Sequence, residues 1–262
     1  MIIVFEGPDG SGKSTLIKKV ADYLHDKNFK VEITKFPNEE HFLGWEIRQM
    51  LSSKMHMPPI DIFQSLYIEN FIDTNIHYIN PTLKYEPDTI FLIDRIPSFS
   101  SFVYSSINFG NLYNTVTNDL SRTLHTKDLV AFPAAKPTFD IINKYYCGLD
   151  YPIDLVVMLK PPVKITLNHA KIREDSKKEI ELYDKSDMIM WQDVEYTFYY
   201  EIFAKESNFT EFLKFDEWNL NLPEKDNYDR IEKEFMTILT DRLGGYNNDV
   251  VEKAATKTNS TD

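Results

Sequence analysis

Short apolar runs alternate with helical patterns along most of the chain. The run Ile2–Phe5 is continuous and mostly β-branched, which is typical of a strand buried on both faces. After a glycine-rich turn, Leu16, Val20 and Leu24 recur at helical spacing. Four further runs predict strands, namely Val31–Phe36, Asp88–Asp94, Asp154–Leu159 and Phe212–Phe215. Strands that alternate with helices predict an α/β fold, in which a parallel five-stranded sheet carries helices on both faces.

Two more helices are predicted before the third strand. The first is Trp45–Leu51, and the second is Ile60–Ile79, which we expect to end before Pro81 because proline disrupts a helix interior. No repeat or clear linker divides the chain, so residues 1–243 are predicted to form a single domain. Residues 244–262 are rich in Asn, Lys, Thr and Glu and are predicted to be a polar, flexible tail.

Composition narrows the classes of partner. The chain has 262 residues and a formal net charge of −12, and such an acidic protein repels a phosphate polymer unless its cations are concentrated. Nucleic acid is therefore disfavoured, whereas a small anionic ligand needs only a local basic pocket. The single cysteine, Cys147, excludes an internal disulfide, and no long uncharged apolar run indicates a membrane span. We expect a cytoplasmic protein.

A glycine-rich loop follows the first predicted strand. Residues 7–14 match the pattern G-x-x-x-x-G-K-S, in which backbone N–H groups point at phosphate oxygens. Lys13 can reach the outer phosphates, and the Ser14 hydroxyl can bind Mg²⁺. A chance glycine turn is the alternative, but a strand precedes the loop and an amphipathic helix follows it, as the mechanism requires. We predict that ATP and Mg²⁺ bind here, and that the cofactor-binding residues are Gly7, Asp9, Gly10, Ser11, Gly12, Lys13, Ser14 and Thr15.

An acidic residue ends the third predicted strand. Asp94 follows the apolar run Ile90–Ile93, and the carboxyl end of a parallel strand lies at the edge where ligands bind. This carboxylate could hold Mg²⁺ directly or through water, which makes Ser14 and Asp94 the predicted metal site. The alternative is an Asp that caps a helix or a turn.

Several motifs, taken in order, resemble the thymidylate kinases, a family of P-loop nucleoside monophosphate kinases. The matching segments are Phe5–Thr15, Phe36-Pro37, the Ile-Arg helix within Trp45–Leu51, Asp94-Arg95 followed by Ser100, Ser101 and Tyr104, and Arg173–Asp184 with Trp191-Gln192. The resemblance implies the P-loop kinase fold with a small helical lid at about residues 169–187. It leaves a homodimer open.

The resemblance also implies roles by position. Asp9 would contact the acceptor sugar, Phe36 would line its pocket, and Tyr67 would stack on the base. Arg48 and Arg95 would grip the acceptor phosphate. The remaining implied acceptor residues are Phe71, Ser100, Ser101 and Tyr104, and the catalytic set is Lys13, Asp94, Arg95 and Arg173.

Some of these residues have simpler interpretations on sequence alone. Arg48 and Arg173 fit solvated helix faces equally well. Tyr67 and Phe71 lie at the four-residue spacing of a core stripe.

The chain departs from the family at the positions that read the acceptor. Many members have an Arg soon after the second strand, where this chain has Asn38-Glu39-Glu40, and Phe71 stands where a base-reading Arg is common. Ile96 replaces an aromatic residue. The pattern therefore favours deoxypyrimidine monophosphate kinase chemistry without fixing the base, and it is compatible with a viral source or a modified dUMP acceptor.

Three alternatives remain open at this stage. A deoxynucleoside kinase would need a general base, for which Glu39 or Glu40 could serve. A kinase acting on modified bases in DNA is disfavoured by the acidic charge. A non-catalytic nucleotide-binding module would have no use for a lid that carries Arg173.

Overall fold

The structure is a computed structural model that describes residues 1–52, 55–56, 58–96, 103, 151–176, 189–190, 192–193, 196–197 and 211–258. The strands are β1 Ile2–Glu6, β2 Val31–Lys35, β3 Ile90–Asp94, β4 Leu155–Leu159 and β5 Phe212–Phe215. The α-helices are α1 Lys13–Asp26, α2 Phe42–Leu51, α3 Ile60–Thr74, α4 Asn80–Tyr85, α5 Val163–Ser176 and α6 Glu224–Thr258.

The five strands form one parallel sheet in the order β2-β3-β1-β4-β5. All five predicted strands are confirmed. In the register of the sheet, Phe5 of β1 lies opposite Asp94 of β3 on one side and Val157 of β4 on the other. The carboxyl ends of β1 and β3 therefore lie side by side, so the loop after β1 and the acid at the end of β3 share one edge of the sheet.

The three central strands are buried along their whole length, as their continuous apolar sequences require. The first helix buries the stripe of Leu16, Val20 and Leu24 that its sequence spacing predicts. Burial of this apolar surface fixes α1 against the sheet, and its first residue, Lys13, follows the loop directly. The N-terminus of α1 therefore directly adjoins the glycine-rich loop.

The helical segment that starts at Ile60 continues past Pro81, contrary to the sequence prediction. A single π-helical turn, Asn75–Ile79, links α3 to α4, and Pro81 lies in the first turn of α4. The π turn directly before Pro81 shifts the hydrogen-bond ladder, as the bond from the Asn80 N–H to the Asn75 carbonyl shows, and such a shift accommodates a residue that has no N–H. The helical stretch therefore ends at Tyr85 instead.

The chain divides into two compact units, Met1–Asp216 and Glu217–Asp262. In the second unit, α6 runs from Glu224 to Thr258, through most of the stretch predicted as a tail. The single domain at 1–243 and the flexibility of 244–262 stay predictions. Within the described ranges, no helix is both long and apolar enough to cross a bilayer.

Candidate functional site

The loop between β1 and α1 depends on glycines at its first and last bends. Gly7 has φ of 139°, and a Cβ there would lie 2.1 Å from the Leu159 carbonyl oxygen, so no other residue fits. Gly12, with φ of 93°, caps α1 in a left-handed conformation that side chains disfavour. The loop then delivers the first backbone N–H groups of α1 toward its centre, which forms an anion-binding cradle.

Lys13 folds back over this loop. Its Nζ donates hydrogen bonds to the carbonyl oxygens of Gly7 at 2.8 Å and Pro8 at 3.0 Å. Burial, together with the nearby Arg95 charge, lowers the pKa of Lys13 to about 8, although Asp94 and other carboxylates oppose the shift. A phosphate oxygen would compete with the two carbonyls for the same ammonium group and would favour its charged form.

The predicted metal ligands lie next to each other. The Ser14 hydroxyl donates to Asp94 Oδ2 at 3.1 Å, and Asp94 is buried at the end of β3. Its other oxygen, Oδ1, is buried and accepts no hydrogen bond from the residues that the structure describes. A buried carboxylate oxygen without a donor costs free energy unless a cation or a proton satisfies it. Hydroxyl and carboxylate oxygens are ligands that Mg²⁺ prefers, so Ser14 and Asp94 fit a magnesium ion.

Arg95 turns sharply back toward the loop. Its φ is 75°, unusual for a residue with a side chain, and its backbone N–H donates to the Phe5 carbonyl at 3.0 Å. The guanidinium donates to the Gly7 carbonyl through Nη1 at 3.1 Å, and through Nη2 to Asp9 Oδ1. The side chain is 7% exposed. The arginine predicted to grip a phosphate therefore lies against the loop that would hold one.

Asp9 is held from two sides. Arg95 binds Oδ1, while Gln192 donates to Oδ2 at 2.9 Å and accepts the Asp9 backbone N–H at 2.7 Å. Burial alone would raise the pKa of Asp9, but the charges of Arg95 and Lys13 outweigh burial and set this pKa at about 2. Asp9 is thus a permanently ionised hydrogen-bond acceptor at neutral pH.

Helix α5 packs against the tip of the loop at Gly10. The His169 ring nitrogen Nδ1 lies 2.7 Å from the Gly10 carbonyl oxygen. A Cβ built on Gly10 would lie 3.4 Å from Arg173 Nη2, four residues further along the same helix face. Arg173 also contributes to the low pKa of Asp9. The lid arginine predicted from the sequence thus lies beside the loop, whereas residues 177–187 of the predicted lid fall outside the described residues.

Four side chains of this region were not predicted as site residues. Glu6, His169, Gln192 and Tyr196 all contact the loop or Arg95. Gln192 and Tyr196 are more than 180 residues from their partners Asp9 and Glu6, so no local spacing rule could pair them. Glu6 could have been noticed, since an acidic residue at the end of a buried apolar strand is unusual.

Three of the predicted acceptor residues, one directly after β2 and two on α3, are packed into the core. Phe36, Tyr67 and Phe71 are all buried, and the rings of Phe36 and Phe71 meet edge to face at 4.9 Å. Tyr67 packs in the same way on Phe63 at 5.4 Å. This is the core stripe that their spacing allowed as an alternative. Base stacking by Tyr67 stays a prediction.

A neutral hydrogen-bond network lies beside these rings. The Asn38 backbone N–H donates to Asn70 Oδ1 at 2.8 Å, and Asn70 Nδ2 returns a bond to the Asn38 carbonyl at 3.2 Å. Asn38 Nδ2 also donates to Thr74 Oγ1 at 3.2 Å. This network ties the turn after β2 to α3. The sequence pattern does not predict this network, although Asn38 falls in the stretch that departs from the family resemblance.

The remaining predicted residues are less informative. Arg48 Nε donates to Glu39 Oε1 at 3.0 Å, so the arginine is paired with a carboxylate from the turn after β2. Ser11 is buried next to Lys13, and Thr15 is exposed on α1. Ser100, Ser101 and Tyr104 lie outside the described residues.

The fold and the loop together define a class of protein. A parallel sheet whose central strand ends in a G-x-x-x-x-G-K-S loop, with an acid at the end of the adjacent strand, is the P-loop kinase fold. The thymidylate kinase family model matches residues 5–139, which is more than half of the chain. The chain belongs to the thymidylate kinase family, and both the fold class and the family resemblance inferred from the sequence are confirmed.

Individual relatives agree with this assignment. The chain is 53% identical over 108 residues to a thymidylate kinase of Caldicellulosiruptor saccharolyticus, a match that covers 41% of this chain and 50% of the relative. It is 28% identical over 107 residues to a cytidylate kinase of Haloarcula marismortui, covering 41% and 49%. The chain thus spans about half the length of these relatives.

A solved structure matches over a longer range. The thymidylate kinase of Candida albicans superposes with a TM-score of 0.58 at 16% identity and covers 92% of both chains. At this identity the match shows the fold alone. A cytoplasmic location and a homodimer stay predictions.

Proposed function

We propose that the chain transfers the γ-phosphate of ATP to a deoxypyrimidine nucleoside monophosphate, with dTMP or a modified dUMP as the acceptor. The observation that carries the proposal is the convergence of three cations on one loop. Lys13 and Arg95 both donate to the Gly7 carbonyl, and Arg173 lies beside Gly10. Phosphoryl transfer depends mainly on positioning and charge neutralisation, which this cluster can supply.

On the donor side, the loop N–H groups and the start of α1 would hold the outer phosphates of ATP. Lys13 would exchange its two carbonyl acceptors for phosphate oxygens. Ser14 and Asp94 would hold Mg²⁺, which supplies charge neutralisation between the phosphates when it is bound. These residues are the ones we expect to contact the cofactor.

On the acceptor side, Arg95 offers a guanidinium that is fixed in direction before a substrate arrives. Bidentate contact between such a group and a phosphate adds both charge and geometry. Asp9, ionised and held by Gln192, can accept a hydrogen bond from a sugar hydroxyl. Arg173 would neutralise charge that develops on the transferring group, because α5 sets it against the tip of the loop.

The acceptor base is the least determined part of the proposal. The relatives include both thymidylate and cytidylate kinases. Phe71, at the position where the resemblance implies a base-reading Arg, packs edge to face on Phe36 and has no hydrogen bond to donate. We therefore propose that pocket shape, rather than a charged donor, selects the pyrimidine, and that selection is looser than in an ordinary thymidylate kinase.

The deoxynucleoside kinase alternative is supported less well. It needs Glu39 or Glu40 as a general base, but Glu39 is half exposed and paired with Arg48, while Glu40 is exposed. A general base works best when its surroundings tune its pKa toward neutrality, which burial usually provides. Action on modified bases in DNA remains disfavoured by the net charge of −12.

A panel assay tests the proposal. The purified chain is incubated with ATP, Mg²⁺ and one acceptor at a time, using thymidine, dTMP, dUMP, 5-hydroxymethyl-dUMP, dCMP and dAMP, and each product is separated from ADP. The proposal expects diphosphates from pyrimidine monophosphates and no monophosphate from thymidine. Thymidine phosphorylation without use of any monophosphate would move the chain to the deoxynucleoside kinases.

A further inference from the structure

A buried carboxylate lies directly behind Arg95, and none of the roles described above uses it. Glu6 is the last residue of β1 and is fully buried. Its Oε1 accepts the Ile96 backbone N–H at 2.6 Å, and its Oε2 accepts the Tyr196 hydroxyl at 3.1 Å. The same Oε2 lies 3.9 Å from Arg95 Nη1. A fully buried carboxylate is costly, so a specific set of partners must compensate for it.

These contacts bracket the turn that aims Arg95. Arg95 adopts a positive φ of 75°, which is unusual for a residue with a side chain. The Arg95 N–H is bound to the Phe5 carbonyl of β1, and the next N–H, that of Ile96, is bound to Glu6. A left-handed residue with a side chain persists only where its surroundings enforce it.

The guanidinium is held by the same carboxylate through a second route. Arg95 Nη1 donates to the Tyr196 hydroxyl, which in turn donates to Glu6. The Tyr196 ring also lies under the Arg95 guanidinium at 5.9 Å. Glu6 Oε1 therefore holds the backbone directly after Arg95, and Glu6 Oε2 holds the Arg95 side chain through the Tyr196 hydroxyl.

We propose that Glu6 is a positioning residue, which fixes the turn after β3 and thereby the direction in which Arg95 presents its guanidinium to the loop and to an acceptor phosphate. Glu6 itself touches neither ATP nor the acceptor. The charged and titratable groups that face it are Arg95, Lys13 and Tyr196. The kinetic part of this inference rests on the proposed function, whereas the structural part does not.

The discriminating variant is Glu6→Gln, which keeps the shape and one acceptor oxygen but removes the charge. Two measurements are made at pH 8. The first is hydrogen exchange at the Ile96 amide, which we expect to be faster in the variant because a neutral amide is a weaker acceptor than a carboxylate. The second is steady-state kinetics, in which kcat with dTMP should fall about 10- to 100-fold because Arg95 is misdirected. The affinity for ATP should stay within about twofold of wild type.

Three further variants keep the test decisive. Glu6→Asp retains the charge and should recover part of the lost kcat. Tyr196→Phe removes only the hydroxyl that links Glu6 to Arg95, should produce a smaller loss of kcat, and replaces Glu6→Gln if that protein does not fold. Ile90→Val removes one methyl group from the buried opposite end of β3 and controls for destabilisation alone.

The inference is overturned if Ile96 exchange is unchanged in Glu6→Gln, if ATP affinity falls as much as kcat, or if Ile90→Val reproduces the kinetic loss. Failure of the proposed function looks different. In that case the wild-type chain phosphorylates no nucleoside monophosphate, while the exchange at Ile96 still reports whether Glu6 holds the turn.

Discussion

The two sides of the candidate site are built from opposite chemistry. Around the loop, Lys13, Asp94, Arg95 and Asp9 bring four charges into buried or partly buried positions. Between β2 and α3 the buried groups are neutral. They are the rings of Phe36 and Phe71, and a hydrogen-bond network formed by the amides of Asn38 and Asn70 and the hydroxyl of Thr74. Buried charge is retained where phosphate charge must be met. Our proposal therefore assigns the reaction to the loop side and leaves acceptor choice to the shape of the neutral side.

The largest effect is expected at Lys13. We predict that Lys13→Ala lowers kcat about 10³-fold, because a cation that meets developing charge in a buried site is commonly worth several kcal/mol. Circular dichroism should be unchanged, since the Gly7 carbonyl still accepts a hydrogen bond from Arg95 in the variant. Steady-state kinetics on the folded variant measure kcat. Turnover close to wild type would remove the loop side from the reaction.

Arg95 should separate the two ligands. In Arg95→Ala we predict that affinity for dTMP falls about 10- to 100-fold, the range expected for losing a charged hydrogen-bond pair, while ATP affinity changes little. Isothermal titration with each ligand measures both. Arg230→Ala, which removes an arginine from the exposed ion pair with Glu234 on α6, is the matched comparison. Equal losses for ATP and dTMP in Arg95→Ala would indicate a structural role.

We predict that the neutral side of the site discriminates only weakly among pyrimidine acceptors. A site that lacks a buried hydrogen-bonding charge rejects isosteric substrates by only about 10- to 200-fold, so kcat/KM for dTMP, dUMP, 5-hydroxymethyl-dUMP and dCMP should fall within that span. Phe71→Arg should lose stability, because its guanidinium would be buried against Phe36. Phe71→Leu, which stays apolar, should keep the acceptor order.

Two results would contradict this view of the neutral side. One is a wild-type chain that rejects every acceptor except dTMP by several orders of magnitude. The other is a Phe71→Arg variant that folds normally and sharpens selection for one pyrimidine, since Phe71 would then face the acceptor rather than the core.

The smallest expected effect is the dependence of the free energy of unfolding on pH through Glu6. Burial raises the pKa of Glu6 to about 7 from an ordinary 4.5, and the pull of Arg95 offsets only part of the shift. The protonated form is therefore favoured by folding, and this contribution is complete below about pH 4.5 and lost as pH rises through 7. Glu6→Gln cannot ionise, so its stability relative to wild type should increase by roughly 1–3 kcal/mol from pH 4.5 to 8.

Urea unfolding of both proteins at several pH values measures this difference. A gap that stays constant across the range would mean that Glu6 keeps an ordinary pKa. A Glu6→Gln variant that gains stability at pH 8 while losing transfer would mark Glu6 as a residue retained for function at a cost in stability.

How much could be predicted from the sequence differs between the two sides. The strands, the loop and the neighbouring positions of Ser14 and Asp94 follow from local patterns, because strand periodicity and the order of the parallel sheet bring these segments to one edge. The contact of Arg95 with Asp9 also fits that edge. The helix continuing past Pro81 was missed, since a π-turn re-registers the backbone so that proline falls in a first turn.

The partners that come from distant segments could not be derived. Gln192 on Asp9 and Tyr196 on Glu6 depend on how far-separated elements pack, which no spacing rule encodes. The burial of Tyr67 and Phe71 was equally open, because a stripe of aromatics at four-residue spacing suits a core and a base pocket alike.

The most direct test of the central claim follows the transferred phosphoryl group itself. ATP labelled in its γ-phosphate is incubated with dTMP, Mg²⁺ and the wild-type chain, and the label is traced among the products. Our account predicts that the label appears in the β-phosphate of dTDP with one ADP formed per dTDP, and that this transfer is lost in Lys13→Ala. Label released only as inorganic phosphate, with dTMP unchanged across the acceptor panel, would contradict it.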